Sequence, residues 1–192
     1  MDGTGKTTLI NSLSNYFGNV HVSKIWDLLQ TKEQFLPFRS KKEVDTFLCA
    51  LTPDSRLFFL AHALKYSIDK ALQSESKCII VDGYYFKYFA SEITLGAQSK
   101  LVDSLIESFP KPDLVIELSL EIEKAALRKE KFSRYECGLQ EANIENFVRF
   151  QTQAQAFWSG FERTNWYTIN SQFSVDEVFN RSLSLIGALN LE

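Results

Sequence analysis

Residues Met1-Asp-Gly-Thr-Gly-Lys-Thr-Thr-Leu9 decide how the rest of the chain is read. Gly5-Lys6-Thr7 supplies the last three fixed positions of the phosphate-binding pattern G-x-x-x-x-G-K-[ST], whose first glycine falls one place before Met1. Backbone N–H groups around Gly3 to Thr8 converge on phosphate oxygens only where no Cβ intrudes, and a helix that follows at once turns its positive end toward the same oxygens. The chain supplies that helix, because Leu9, Ile10, Leu13 and Phe17 share one face between Thr7 and Phe17. Gly3, Thr4, Gly5, Lys6, Thr7 and Thr8 are therefore the expected ATP-binding set, with Lys6 on the outer phosphates and the Thr7 hydroxyl on Mg²⁺. The bare tripeptide is common by chance; its junction with an amphipathic helix is not. The same mechanism demands a buried strand entering the loop, and none precedes it. The expectation is that this first central strand is missing from the chain, and that the natural polypeptide starts about ten residues earlier or its start was assigned to an internal methionine.

Across 192 residues, 45% hydrophobic and 14% aromatic residues are enough for the core of one domain, expected over 1–192. Twenty-one basic against 24 acidic side chains leave no electrostatic footprint for a nucleic-acid backbone, so phosphate recognition must be local. Cys49, Cys78 and Cys137 lack the spacing of a metal knuckle or a redox pair and read as reduced thiols. No apolar run approaches the ~20 residues that span a bilayer. The expectation is a cytoplasmic protein with neither nucleic acid nor membrane as partner.

Lys77-Cys-Ile-Ile-Val-Asp82 and Asp113-Leu-Val-Ile-Glu-Leu-Ser-Leu120 are continuous rather than alternating apolar runs, the mark of buried parallel strands. Asn165-Trp-Tyr-Thr-Ile-Asn170 and Val20-His-Val22 are weaker candidates. Between them, Asp54 to Gln73 is helical in spacing, Pro53 marks its start, and Ser174-Val-Asp-Glu177 has the form of a capping box for a last helix. Strands alternating with helices imply an α/β fold with a parallel sheet flanked by helices in three layers.

These segments, in order and spacing over almost the whole chain, resemble the thymidylate kinase family of P-loop nucleoside monophosphate kinases. Asp2-Gly-Thr-Gly-Lys-Thr-Thr8 is similar to its loop, Leu36-Pro-Phe-Arg-Ser40 to the segment whose arginine touches the acceptor phosphate, and Arg56-Leu-Phe-Phe-Leu-Ala61 to the helix whose phenylalanine stacks on thymine. Cys78-Ile-Ile-Val-Asp-Gly-Tyr84 stands where the family has a strand ending in Asp-Arg-Tyr. Pro112-Asp-Leu-Val-Ile-Glu-Leu118, with Ala125 and Arg128, resembles the strand and helix leading into a lid, here about 128–140. Ser133-Arg-Tyr-Glu136 is similar to the lid's Asp-Arg-Phe-Glu, and Trp166-Tyr-Thr-Ile-Asn170 to the last strand.

The resemblance implies transfer of a phosphoryl group from ATP, with Mg²⁺, to a nucleoside monophosphate such as dTMP, by a homodimer. It implies Lys6, Asp82, Arg128 and Arg134 as catalytic residues, Thr7 and Asp82 at the metal, and Asp2, Arg39 and Phe59 at the acceptor; Tyr84, in the aromatic cluster that follows Asp82, is core or cleft wall or stacks on the acceptor base where an arginine is missing. Each has a plainer alternative. Asp82, at the carboxyl end of a strand, serves the metal or caps the next helix; Asp2 orients a sugar hydroxyl, aids proton removal or is a turn carboxylate. Arg39 is a phosphate clamp or a surface arginine, and Phe59 a stacking ring or core. Arg128 and Arg134 neutralise charge on the transferred group, while Lys129 and Lys131 read as surface residues. The departures are Gly83 and Ala63 where arginines are usual and Glu92 where glutamine is frequent. Lys87 is the nearest cation to Gly83 and is expected to substitute. Two other readings stay open: a kinase of deoxynucleosides or other small acceptors, and a nucleotide-binding module without turnover.

Overall fold

The computed structural model describes residues 2–30 and 38–189. Gly5, in the left-handed region, ends the loop and starts α1 (Lys6–Phe17), which buries Leu9, Ile10 and Leu13. Then come β1 (Val20–Lys24), α2 (Lys41–Ala50), α3 (Pro53–Leu72), β2 (Cys78–Asp82), α4 (Tyr85–Thr94) and α5 (Ser99–Ile106). The second half holds β3 (Val115–Ser119), α6 (Ile122–Leu127), α7 (Ile144–Trp158), β4 (Trp166–Asn170) and α8 (Val175–Gly187). The four expected strands and the helices between them are all present. Local chemistry sets their ends: the Ser40 hydroxyl accepts from the Glu43 N–H to start α2, Pro53 opens α3, and the Ser174–Glu177 capping box starts α8.

The pleat sorts side chains into two apolar layers. Ile80, Ile116, Leu118 and Ile169 pack with α1 and α8, whereas Val81, Val115 and Trp166 face the larger core of α3 and α4. That is the helix–sheet–helix arrangement of an α/β fold. The ladders form two parallel pairs, β1 with β2 from Val20–Cys78 to Lys24–Asp82, and β3 with β4 from Val115–Trp166 to Ser119–Asn170. Among the described residues β2 and β3 share no ladder, and a cavity of about 460 Å³ lies between them, bordered by Leu9, Ile10, Leu13, Phe86 and Trp158. The sheet is thus two short sheets side by side, with the phosphate loop's Thr4 and Lys6 at the boundary.

Candidate functional site

The carboxyl ends of β1, β2 and β3 deliver Lys24, Asp82 and Leu118 to one cleft of about 1050 Å³, whose rim includes Asp2 to Leu9. Gly3 has φ +80°, and a Cβ there would meet the Ala125 carbonyl oxygen at 2.3 Å, so only glycine lets the loop press on α6. All six expected nucleotide-binding residues, Gly3 to Thr8, line this cleft.

Charge inside the cleft is organised by Asp2. Lys87 Nζ donates to both its oxygens, at 2.7 and 2.9 Å, and Lys6 Nζ reaches Oδ1 at 3.3 Å. Burial works to raise the Asp2 pKa, but Lys87 and then Lys6 overcome it and hold the carboxyl well below the usual range. Lys6 is pushed down by burial, against the pull of Asp2 and Asp82. Lys87 stays firmly protonated because Asp2 outweighs its own burial. Beside it, burial pushes the Tyr88 phenol up to about 12, against the opposing pull of Lys87.

The other expected residues divide. Asp2, Asp82, Lys87, Arg39 and Arg128 line the cleft, the Arg128 guanidinium donating to the Ser171 carbonyl at 3.3 Å. Leu36 and Pro37 of the acceptor segment lie outside the described residues; Arg39 is inside them, with its N–H on the Glu43 carboxylate. Arg134 does not reach the cleft: it is exposed, and its guanidinium caps the Leu139 carbonyl at 3.0 Å. Tyr84 turns away too, donating to the Pro110 carbonyl at 2.6 Å with its ring against Tyr85. Phe59 sits among Phe47 and Phe38, 5.1 and 6.2 Å between centroids, and does not border the cleft. Glu92, at the position where glutamine is frequent, is sealed against Arg56.

Several lining residues were not singled out from sequence. Lys129, read as a surface lysine, is mostly buried on the cleft with Nζ 3.2 Å from Glu136. Asp45 on α2 accepts the main-chain N–H groups of Arg134 and Tyr135, at 3.2 and 2.9 Å. Tyr88 lines the cleft beside Lys87, the cation expected there, and helical spacing from Gly83 was the signal that could have found it. Gly83 itself has φ +76°, a conformation side chains rarely adopt, so its difference from arginine is one of backbone as well as charge. Among the described residues no cluster of three or more His, Cys, Asp or Glu forms a metal cage, and no helix is long and apolar enough to cross a membrane.

Comparison with known proteins gives the geometry its context. A family model described as Thymidylate kinase matches residues 1–181. "Probable thymidylate kinase 1" of Saccharolobus solfataricus is 27% identical over 97% of this chain and 93% of its own length. "Probable thymidylate kinase" of Sulfurisphaera tokodaii is 21% identical over 98% and 93%. Among solved structures, thymidylate kinase from Candida albicans superposes with a TM-score of 0.70 at 17% identity, over 100% of this chain and 89% of that one. Deoxyadenosine kinase from M. mycoides gives 0.66 at 13% identity, over 98% and 96%. At these identities the two structures speak for the fold.

Proposed function

The chain belongs to the thymidylate kinase family, and from that premise we propose that its cleft transfers the γ-phosphoryl group of ATP to dTMP. Family membership makes it an ATP-dependent nucleoside monophosphate kinase; the acceptor base and the residue roles are our reading. An oxygen of the acceptor's phosphate attacks the γ-phosphorus, the bond from that phosphorus to the bridging oxygen breaks, and ADP leaves with the electron pair. The loop amides of Gly3 to Thr8 and the start of α1 hold the donor, and Lys6 exchanges Asp2 for the outer phosphates. Arg128 and Lys129, at the end of α6 and on the same cleft, supply positive charge for the charge that spreads over the transferred group.

The observation that carries a phosphate rather than a hydroxyl acceptor is the state of Asp2. A nucleoside hydroxyl needs a base to take its proton, and Asp2, clamped by two lysines and held far below the usual carboxylate range, is a poor one. An ionised phosphate oxygen needs none. Lys87 and Arg39, both on the cleft, supply the positive charge that would receive it.

Thr7 and Asp82 fit Mg²⁺: a hydroxyl and one carboxylate on the same cleft suit an ion that keeps several waters and takes its other ligands from phosphates. Bound there, the ion would neutralise charge on the triphosphate. The reading also carries residues 1–192 as one catalytic domain with a lid at about 128–140, a cytoplasmic location and a homodimer, all resting on the family. Sedimentation of a single 22.0 kDa chain overturns the dimer.

A coupled ADP-release assay over a panel of nucleosides and their monophosphates tests the reaction. Magnesium-dependent release with dTMP is expected. Release with nucleosides alone selects the nucleoside-kinase reading, and ATP binding without acceptor-dependent release selects the binding module.

A further inference from the structure

Arg56 on α3 and Glu92 on α4 are fully enclosed, their side chains 1% and 0% exposed. Arg56 Nε donates to both Glu92 oxygens, at 2.8 and 3.1 Å, and Nη1 to the Leu51 and Leu48 carbonyls at the end of α2, at 3.0 and 3.4 Å. A third group completes the set: the Tyr135 hydroxyl donates to Glu92 Oε1 at 2.9 Å. Tyr135 lies in the segment between α6 and α7 and forms part of the cleft wall, whereas Glu92 and Arg56 do not touch the cleft.

We propose that Glu92 is a positioning residue, fixing the segment 133–139 over the acceptor side of the cleft through the Tyr135 hydroxyl. This rests on reading that segment as the kinase lid. Enclosing two charges costs several kcal/mol per ion in general, and apolar side chains of similar volume would brace α3 against α4 as well or better. What an apolar pair cannot supply is an acceptor for the buried Tyr135 hydroxyl, which would otherwise be left unpaired in the interior. Arg56 Nη1, anchored on the Leu48 and Leu51 carbonyls, holds Nε against both Glu92 oxygens, and Oε1 also takes the Tyr135 hydroxyl.

The segment is held from a second side. Asp45, on α2, takes the N–H groups of Arg134 and Tyr135, so a carboxylate beneath and one alongside fix the same residue by its hydroxyl and its main chain. The next residue, Glu136, accepts from Lys129 and from the Ser133 N–H, and all three line the cleft. Movement of Tyr135 therefore shifts charges that face the acceptor. Because α2 follows directly on Arg39, the proposed acceptor arginine, Arg56 links Glu92 to that helix as well, through the Leu48 and Leu51 carbonyls.

Tyr135→Phe tests the proposal with the least disturbance, since the ring and the ion pair remain and only the hydroxyl is lost. On the ligand-free chain, amide hydrogen exchange across 133–139 is expected to quicken about tenfold. The acceptor KM should rise about tenfold, with the ATP KM within about twofold. Glu92→Gln, which keeps a weaker acceptor, should give an intermediate result; Asp45→Asn should loosen the same segment from the other side. Unchanged exchange in Tyr135→Phe overturns the proposal, as does faster exchange with both acceptor constants unchanged. Faster exchange in a chain whose parent is inactive toward every monophosphate counts against the assigned reaction and leaves the attachment of the segment standing.

Discussion

Asp2 and Glu92 are both carboxylates held by basic side chains, yet their pKa values move in opposite directions. Asp2, 19% exposed at the cleft rim, has two lysines, and together they outweigh its burial. Glu92, fully enclosed, has one arginine and one tyrosine; burial wins and raises it to about 7. The partners differ in kind as well. Lys6 and Lys87 carry compact charges on flexible stems, which can pass from Asp2 to an incoming phosphate, whereas the Arg56 fork is pinned by backbone carbonyls and has nowhere to go. Ion pairs at the rim are exchangeable parts of a binding site; the sealed one sets shape.

The sharpest way to break that contrast is to remove one partner from each. Glu92→Leu strands Arg56 in an enclosed site and should cost about 3–5 kcal/mol in urea unfolding, most of it returned when Arg56→Met is added. If the double variant is no more stable than the single one, the pair is not the unit described here. Lys6→Ala should leave stability within about 1 kcal/mol, because its pair is part-exposed, while kcat falls by about 10²–10³. A kcat within about threefold of the parent would mean that Lys6 does not face the transferred group.

How much of this was written in the chain depends on the range of the interaction. The loop, α1 and the strands were legible because local spacing and the absence of Cβ at Gly3 and Gly5 decide them. The cleft residues on the loop followed from the phosphate-binding pattern, Asp82 from its place at a strand end, and Arg128 from the family resemblance. Arg134, Tyr84 and Phe59 did not follow, because spacing alone does not say which contact captures a side chain: the Leu139 carbonyl takes the Arg134 guanidinium, Pro110 holds Tyr84, and Phe47 covers Phe59. The sealed pair left a trace that could have been read. Arg56 and Glu92 each interrupt an otherwise apolar helix face, and two opposite charges in such positions imply each other.

Titration sharpens the comparison further, because the two carboxylates have opposite signatures. Glu92 binds its proton more tightly folded than unfolded, so between pH 4.5 and about 7 the native state holds the extra proton and stability falls as pH rises. The gap corresponds to roughly 3 kcal/mol, and Glu92→Gln should flatten that slope. Asp2 works the other way: its contribution is present above 3.8 and lost as pH falls through its lower folded value, so Asp2→Asn alters only the acid limb. A parent chain whose unfolding free energy is level from pH 4.5 to 7 would refute the raised Glu92.

The smallest expected effect bears on the rim itself. Lys87→Ala leaves Asp2 with Lys6 alone, and the acceptor KM should rise about tenfold, or about 1.4 kcal/mol. Gly83 offers no charge to replace it, and its left-handed backbone discourages regain of an arginine by simple substitution, so Gly83→Arg in the Lys87→Ala background should restore little. The outcome separates two accounts of Lys87. If it only neutralises Asp2, then Asp2→Asn with Lys87→Ala should recover the parent KM; if its ammonium receives the acceptor phosphate, the double variant should stay as weak as Lys87→Ala alone.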